Sequence, residues 1–355
     1  MKKYLLMLLS LSWVLIFPLF GQNDTIDINY EFPNSLNKNF RLFEEDELLE
    51  LSLRFDITTF SRKKSSEEYL PALLTCHLTK TDSINKEIRL RARGEMRYTI
   101  CSFPPIRLNF NKSESLTDEF SNLDKIKMVT HCQPGNQFNT LKEYLTYKLY
   151  NVLTAYSYRV RLARINYINT ARKNKSITEF AFFIEPTEVL CERINSVEVK
   201  TMNLTQKNIK PEMMDRMAIF NYMIGNTDWS VPIHHNVVIL AQGNSERSDL
   251  GIIVPYDFDY AGLINADYAV PYEGLGLKSV LERRYLGICR SEDIFINALK
   301  EFSDRKKEFI KVINDFPYLN AKSKNEMIMY LESFFKDFDK HSSIVNKLRN
   351  ECLNF

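Results

Sequence analysis

Neither sign of charge is in surplus in this chain: 47 basic residues face 45 acidic ones, a formal charge of +2. That balance gives no general attraction to nucleic acid or to anionic membrane, so partners must be recognised at sites, and no nucleic-acid partner is expected. Beyond the first 21 residues, no apolar run reaches the ~18 residues of a membrane span, so none is expected in the mature chain. HExxH, GxSxG and cysteine-protease signatures are absent, which leaves zinc-protease and nucleophilic-hydrolase chemistry without a foothold. The six cysteines (Cys76, Cys101, Cys132, Cys191, Cys289 and Cys352) include no CxxC pair. A zinc cluster is therefore not expected, and a domain of this size needs one disulfide at most, with buried thiols otherwise. Tryptophan is scarce: Trp13 and Trp229 are the only two, and Trp229 is expected to pack beneath a loop.

Residues 1–21 carry Lys2 and Lys3, an apolar stretch from Tyr4 to Phe20, and Gly21. They read as a secretory signal peptide, with Leu19 a poor match to the small residue usual near the cut, and a retained membrane anchor is the rival reading. Export to the periplasm, the cell surface or the medium follows. Residues 22–44 are polar and without periodicity, an extended lead-in.

From residue 45 the pattern changes. EDELLELSLRFDI, YLPALLTCHLTKT, KEIRLRARGEM and PPIRLNF contain alternating apolar and polar stretches and predict strands of one antiparallel sheet, with a loop over 95–103. DKIKMVT predicts a further strand. Leu141, Tyr144, Leu145, Leu149 and Leu153 then mark a helix by spacings of three and four, with Asn139 or Thr140 as its cap. Two more strands, RVRLARINYINT and SITEFAFFIEP, complete a β-rich region over 45–190. Arg159 and Arg161 share a strand face there and are expected to pair with carboxylates. Residues 191–355 read as mainly helical: a helix over KPEMMDRMAIFNYMIG, the strands VVIL and GIIVPY, and helical segments near 292–315 and 322–348.

Two polar clusters interrupt this second region, GNTDWSVPIHHN and PYDFDYAG. Asn226, Asp228 and Asn236 fall around one loop, and Asp257 and Asp259 follow a strand. Phosphoryl transfer needs this inventory: a carboxylate to orient an acceptor hydroxyl, and hard oxygen donors for a magnesium ion that neutralises phosphates. An Asx turn with solvated carboxylates is the plain alternative. His234 and His235 invite a metallohydrolase reading, but neighbours on a strand point oppositely. Paired carboxylates would also suit glycoside hydrolysis.

GNTDWS, HHN and PYDFDYAG together resemble the CotH-type kinases and, more distantly, HipA-like and lipid-kinase-like relatives; RLRARGEMRYTICSFPPIRLNF resembles the opening of the same family. The resemblance spans roughly residues 49–286. It implies an α+β, two-lobed protein-kinase-like fold, with a β-rich N-terminal lobe holding one major helix and a mostly helical C-terminal lobe. It implies ATP with Mg2+ or Mn2+ as cofactors and a hydroxyl acceptor on a protein. Asp228 would be the catalytic-loop carboxylate, with Asn226 beside it. Asn236 and Asp257 or Asp259 would hold metal, and strand alternation would send both Asp residues to one side. Lys127, sixteen residues before Glu143, would position the phosphates as a strand lysine paired with a helix glutamate. Arg93, Gly94 and Arg97 form a second phosphate-facing group. The glycine loop, VAIK lysine, HRD and DFG of ordinary protein kinases are missing. A catalytically silent kinase-like protein of the cell envelope is the alternative expectation.

Overall fold

The computed structural model describes residues 42–78, 82–94, 96–110, 120, 124–243, 250–339 and 341–354. The expected signal peptide and most of the lead-in lie outside the described residues.

The first half is a closed seven-stranded barrel, not the open sheet that alternation alone suggests. Its strands are β1 (Leu49–Phe55), β2 (Leu70–His77), β3 (Ser83–Ala92), β4 (Ile106–Phe110), β5 (Lys125–Val129), β6 (Val160–Asn169) and β7 (Lys175–Ile184), in the order β1-β2-β3-β4-β5-β7-β6. All neighbouring pairs are antiparallel except β1 with β6, whose parallel ladder from Leu49↔Ala163 to Phe55↔Asn169 closes the barrel. Closure removes both exposed edges. Inward residues recur at every second position: Leu51, Leu53 and Phe55 on β1, Ile88, Leu90 and Ala92 on β3, Ile106 and Leu108 on β4, Ile126 and Met128 on β5. Short helices α1 (Ile57–Arg62) and α2 (Arg97–Ile100) sit in the connections. α2 occupies the segment expected as a loop.

α3 (Gln137–Leu153) packs on β7 and β6 outside the barrel, and on its other side meets α6 (Glu292–Asp315). It begins earlier than its apolar spacing indicated, and neither Asn139 nor Thr140 caps it. Asn136 is at the cap position, but its amide donates to Asp267 at 3.2 Å. After α4 (Thr187–Arg193), a three-stranded sheet of β8 (Ser196–Glu198), β9 (Val237–Gln242) and β10 (Ile252–Pro255) backs onto α5 (Pro211–Ile224). Pro211 opens α5, where its missing N–H costs nothing. The helices α6, α7 (Ala321–Asp339) and α8 (His341–Glu351) complete the second core, which includes Trp229. No helix among the described residues is long and apolar enough to cross a membrane.

Two disulfides, Cys101–Cys132 and Cys289–Cys352, exceed the single bridge expected; Cys76 and Cys191 belong to neither. The second ties the start of the helical array to its end. Arg159 pairs with the buried carboxylate of Glu185 at 2.9 Å, and Arg193 does so at the same distance. Arg161 is itself buried and donates to the carbonyls of Leu42, Glu45 and Glu47. These arginines are structural.

His131, wholly buried, stacks on Phe103 at 4.7 Å, and neither ring nitrogen has a partner. Burial pushes its pKa down to about 4. With decreasing pH, the unfolded chain takes up this proton near 6.5 while the folded chain resists until about 4, so stability is fully present above 6.5 and falls through that window. The loss should approach ~3 kcal/mol. Urea midpoints at pH 7.5 and 4.5 should converge for His131→Phe relative to the native protein; an unaltered slope would show that His131 does not carry it.

Candidate functional site

The base of the β9–β10 hairpin organises the acidic clusters. β9 and β10 are antiparallel with Val237 opposite Pro255, and the Tyr256 N–H donates to the Asn236 carbonyl at 3.0 Å. Asn236 and Asp257 are thereby brought to the same end of one ladder. Both have left-handed backbones, φ +52° and +59°. Asn and Asp tolerate that region better than other non-glycine residues, and such outliers concentrate at functional sites.

Asp228 stands on the loop after α5. Its main-chain N–H donates to Asn226 Oδ1 at 3.1 Å, and Asn226 Nδ2 donates to Asn221 Oδ1 at 2.9 Å. Asn226 is buried, and both polar ends of its amide are used in shaping the loop, so it does not face a substrate. Gly225 begins the turn at φ +67°, where a Cβ would overlap the Tyr330 hydroxyl. Asn236 Nδ2 donates to Asp228 Oδ2 at 2.9 Å and to its carbonyl at 2.8 Å, which turns the amide oxygen of Asn236 away as a hard donor. His235 Nε2 lies 2.8 Å from Asp228 Oδ1. The Asp228 side chain remains 36% exposed, and each of its oxygens keeps a lone pair for a further donor.

Asp257 and Asp259 lie past the end of β10, so strand alternation does not direct them. They reach the same side nonetheless, because Phe258 is wholly buried against Tyr147 at 4.8 Å and Phe220 at 5.7 Å. The Tyr147 hydroxyl accepts the Asp257 N–H at 2.8 Å. Both carboxylates meet Arg97, which turns inward from α2. Its Nε donates to Asp259 Oδ2 at 2.7 Å, and one terminal nitrogen reaches Glu143 Oε2 at 2.8 Å and Asp257 Oδ1 at 3.4 Å. Tyr268 adds a hydrogen bond to Asp259 at 3.1 Å. The Cys101–Cys132 bridge, the Gln133 amide on the Ile100 carbonyl (2.9 Å) and Lys64 on the Cys101 carbonyl (2.7 Å) fix the segment that carries Arg97.

Burial pushes the Glu143 carboxyl up to about 8, with Arg97 opposing and Asp259 and Asp257 reinforcing. Burial also lifts Asp259, to about 6, against the pull of Arg97. Asp257 goes the other way: burial is outweighed by Arg97, Arg93, a hydrogen bond from Asp259 and Lys127. Asp257 is thus the member held most firmly ionised, with 30% of its side chain exposed, and its contact with Arg97 is the longest of the three.

The expected Lys127–Glu143 pair is not formed. Glu143 is engaged by Arg97, while Lys127 on β5 places its Nζ 4.7 Å from the centre of the Tyr256 ring. Burial first, then Arg93, lowers the Lys127 ammonium to about 8, with Asp257 opposing. Arg97, expected to face phosphate, is consumed by carboxylates instead. Gly94, at φ +88°, and Arg93, whose N–H donates to the Pro105 carbonyl at 2.8 Å, lead into α2. Tyr147, Tyr268, Tyr256 and His235 belong to the site; Tyr256 and His235 fall within the quoted motifs, and the sequence carries no signal for Tyr147 and Tyr268 beyond their residue type.

The donor set suits a hard cation. Asp257, the amide oxygen of Asn236 and the buried Glu143 Oε1, which has no hydrogen-bond partner, are oxygen donors. Among the described residues no three His, Cys, Asp or Glu side chains form a ready metal cluster.

No protein-family model matches the chain, and no curated protein matches it. Among solved structures, the chain is similar to the crystal structure of the Helicobacter pylori proinflammatory kinase CtkA at 14% identity, over 69% of this chain and 90% of that one, with a TM-score of 0.38.

Proposed function

We propose that the protein is an exported, CotH-like atypical kinase that transfers the γ-phosphoryl group of ATP to a hydroxyl on a protein. In this reading the barrel with α3 is the β-rich lobe of a two-lobed kinase-like fold and the helical array is the other lobe. The observation that carries the reading is the hairpin base, where Asp228 and the oxygen donors Asn236 and Asp257 are fixed by one short network. Asn236 and Asp257 would hold Mg2+ or Mn2+, which supplies charge neutralisation for the phosphates when bound. Asp228 orients the acceptor hydroxyl and takes its proton as the new O–P bond forms and the bond to the departing nucleoside diphosphate breaks. Lys127 and Arg93 position the phosphates.

A second reading has its own support. Arg97 already neutralises the carboxylate cluster, as in a kinase-like envelope protein that has given up catalysis. One pair of measurements separates the two. Under the first reading, ATP with Mg2+ or Mn2+ raises the Tm of the mature protein, and label from the γ-position is incorporated in a manner abolished by chelator. Absence of both effects leaves the silent protein.

A further inference from the structure

Strand register produces a row of cations that sequence spacing does not reveal. Arg91 on β3 is directly opposite Arg107 on β4, and Arg107 is directly opposite Lys127 on β5. Their neighbours Leu90, Ala92, Ile106, Leu108, Ile126 and Met128 fill the barrel, so alternation sends all three cations to its outer face. Like charges facing each other across neighbouring strands are destabilising. Arg91 is relieved by an ion pair with Glu67 and lies 5.4 Å from the centre of the Tyr69 ring. Arg107 and Lys127 have no ion-pair partner among the described residues. Arg93, two residues past Arg91, continues the β3–β4 ladder with its N–H on the Pro105 carbonyl at 2.8 Å and so shares that face; the acidic groups acting on Lys127 are Asp257 and Glu198. Adjacent strands are about 4.8 Å apart, so the two heads can engage successive groups of one anionic chain.

We propose that Arg107, Lys127 and Arg93 form a binding row for a linear polyphosphate group, laid across β4 and β5 and ending beside Asp257, with Arg107 as a phosphate-positioning residue. The ligand is a nucleoside triphosphate or inorganic tripolyphosphate. The first of these rests on the phosphotransferase reading; the row itself does not. A guanidinium matches phosphate oxygens with two parallel N–H donors, and an external polyanion would relieve the repulsion built into the ladder.

The test is the affinity of the native protein, Arg107→Gln and Arg107→Lys for ATP and for inorganic tripolyphosphate, by calorimetry, with ligand-free Tm measured alongside. Arg107→Gln should lose roughly tenfold in affinity for both ligands while its ligand-free Tm stays level or rises. Arg107→Lys should recover part of that affinity. If the native protein binds either ligand and Arg107→Gln binds it equally well, or if Arg107→Gln loses ligand-free Tm and Arg107→Lys restores no affinity, the row is overturned alone. Tripolyphosphate binding without ATP binding would keep the row and sink the kinase reading. Binding of neither ligand would sink both.

Discussion

Replacing Arg97 with alanine should destabilise the protein by about 3–5 kcal/mol, the usual cost of removing one member of a buried ionic cluster. The guanidinium is 8% exposed and is the common partner of Glu143, Asp257 and Asp259. Its loss leaves Glu143 and Asp259 without their counter-charge and Asp257 with only Arg93 and Lys127, and burial already strains the first two toward the protonated form. For a chain of this size the expected fall in Tm is on the order of 4–7 °C. Because the penalty comes from uncompensated charge, it should shrink when charge is removed as well. Arg97→Ala combined with Asp259→Asn, which removes the buried carboxylate bonded most closely to the guanidinium, should therefore be more stable than the sum of the single effects predicts, by about 1–2 kcal/mol. Additive losses in chemical denaturation would mean that Arg97 acts by packing alone. The same cycle bears on the silent reading. If Arg97→Ala gains Mn2+ binding while losing stability, the guanidinium is competing with metal for these oxygens.

Alternation in KEIRLRARGEM and PPIRLNF told which side chains point inward, and the structure keeps that parity. It did not tell how the strands pair. The β1–β6 ladder that closes the barrel joins residues more than 100 positions apart, and no local pattern encodes so distant a register. Arg107 was invisible for the same reason: its significance lies in facing Lys127, a fact of pairing rather than composition. Arg97 shows a different limit. α2 has four residues, too few for periodicity, and its inward turn depends on a disulfide and two side chain-to-carbonyl bonds from distant segments. The acidic clusters were legible because Asn and Asp at turns flanking apolar strands are chemically conspicuous. Their division of labour was not, since Asp257 and Asp259 differ by environment and not by residue type. The pairing expected for Lys127 fails on geometry: a strand lysine and a helix glutamate at a plausible spacing still need to meet, and Arg97 holds that glutamate while Lys127 lies against Tyr256.

Single substitutions at Asp228, Asp257 and Asp259 should separate chemistry from support. Asp259 is 4% exposed and bonded to both Arg97 and Tyr268, so Asp259→Asn should cost about 2–4 kcal/mol of stability before any effect on activity is considered. Asp257 is the partly open carboxylate, farther from Arg97, and its left-handed backbone is one that Asn also accepts. Asp257→Asn should therefore keep the fold within about 1 kcal/mol. Under the phosphotransferase reading it should also abolish Mn2+ binding, followed by electron paramagnetic resonance, and with it phosphoryl transfer. Asp228→Ala should retain Mn2+ binding and lower transfer by roughly 10²–10⁴-fold, the range for losing a positioned acid–base group. Its exposed position on the loop limits the structural penalty to the hydrogen bonds from His235 and Asn236. The informative comparison is between the two members of the DFD pair. If Asp257→Asn and Asp259→Asn lose equal stability and equal Mn2+ affinity, burial and partnering do not set their roles, and the assignment of Asp257 to the metal falls.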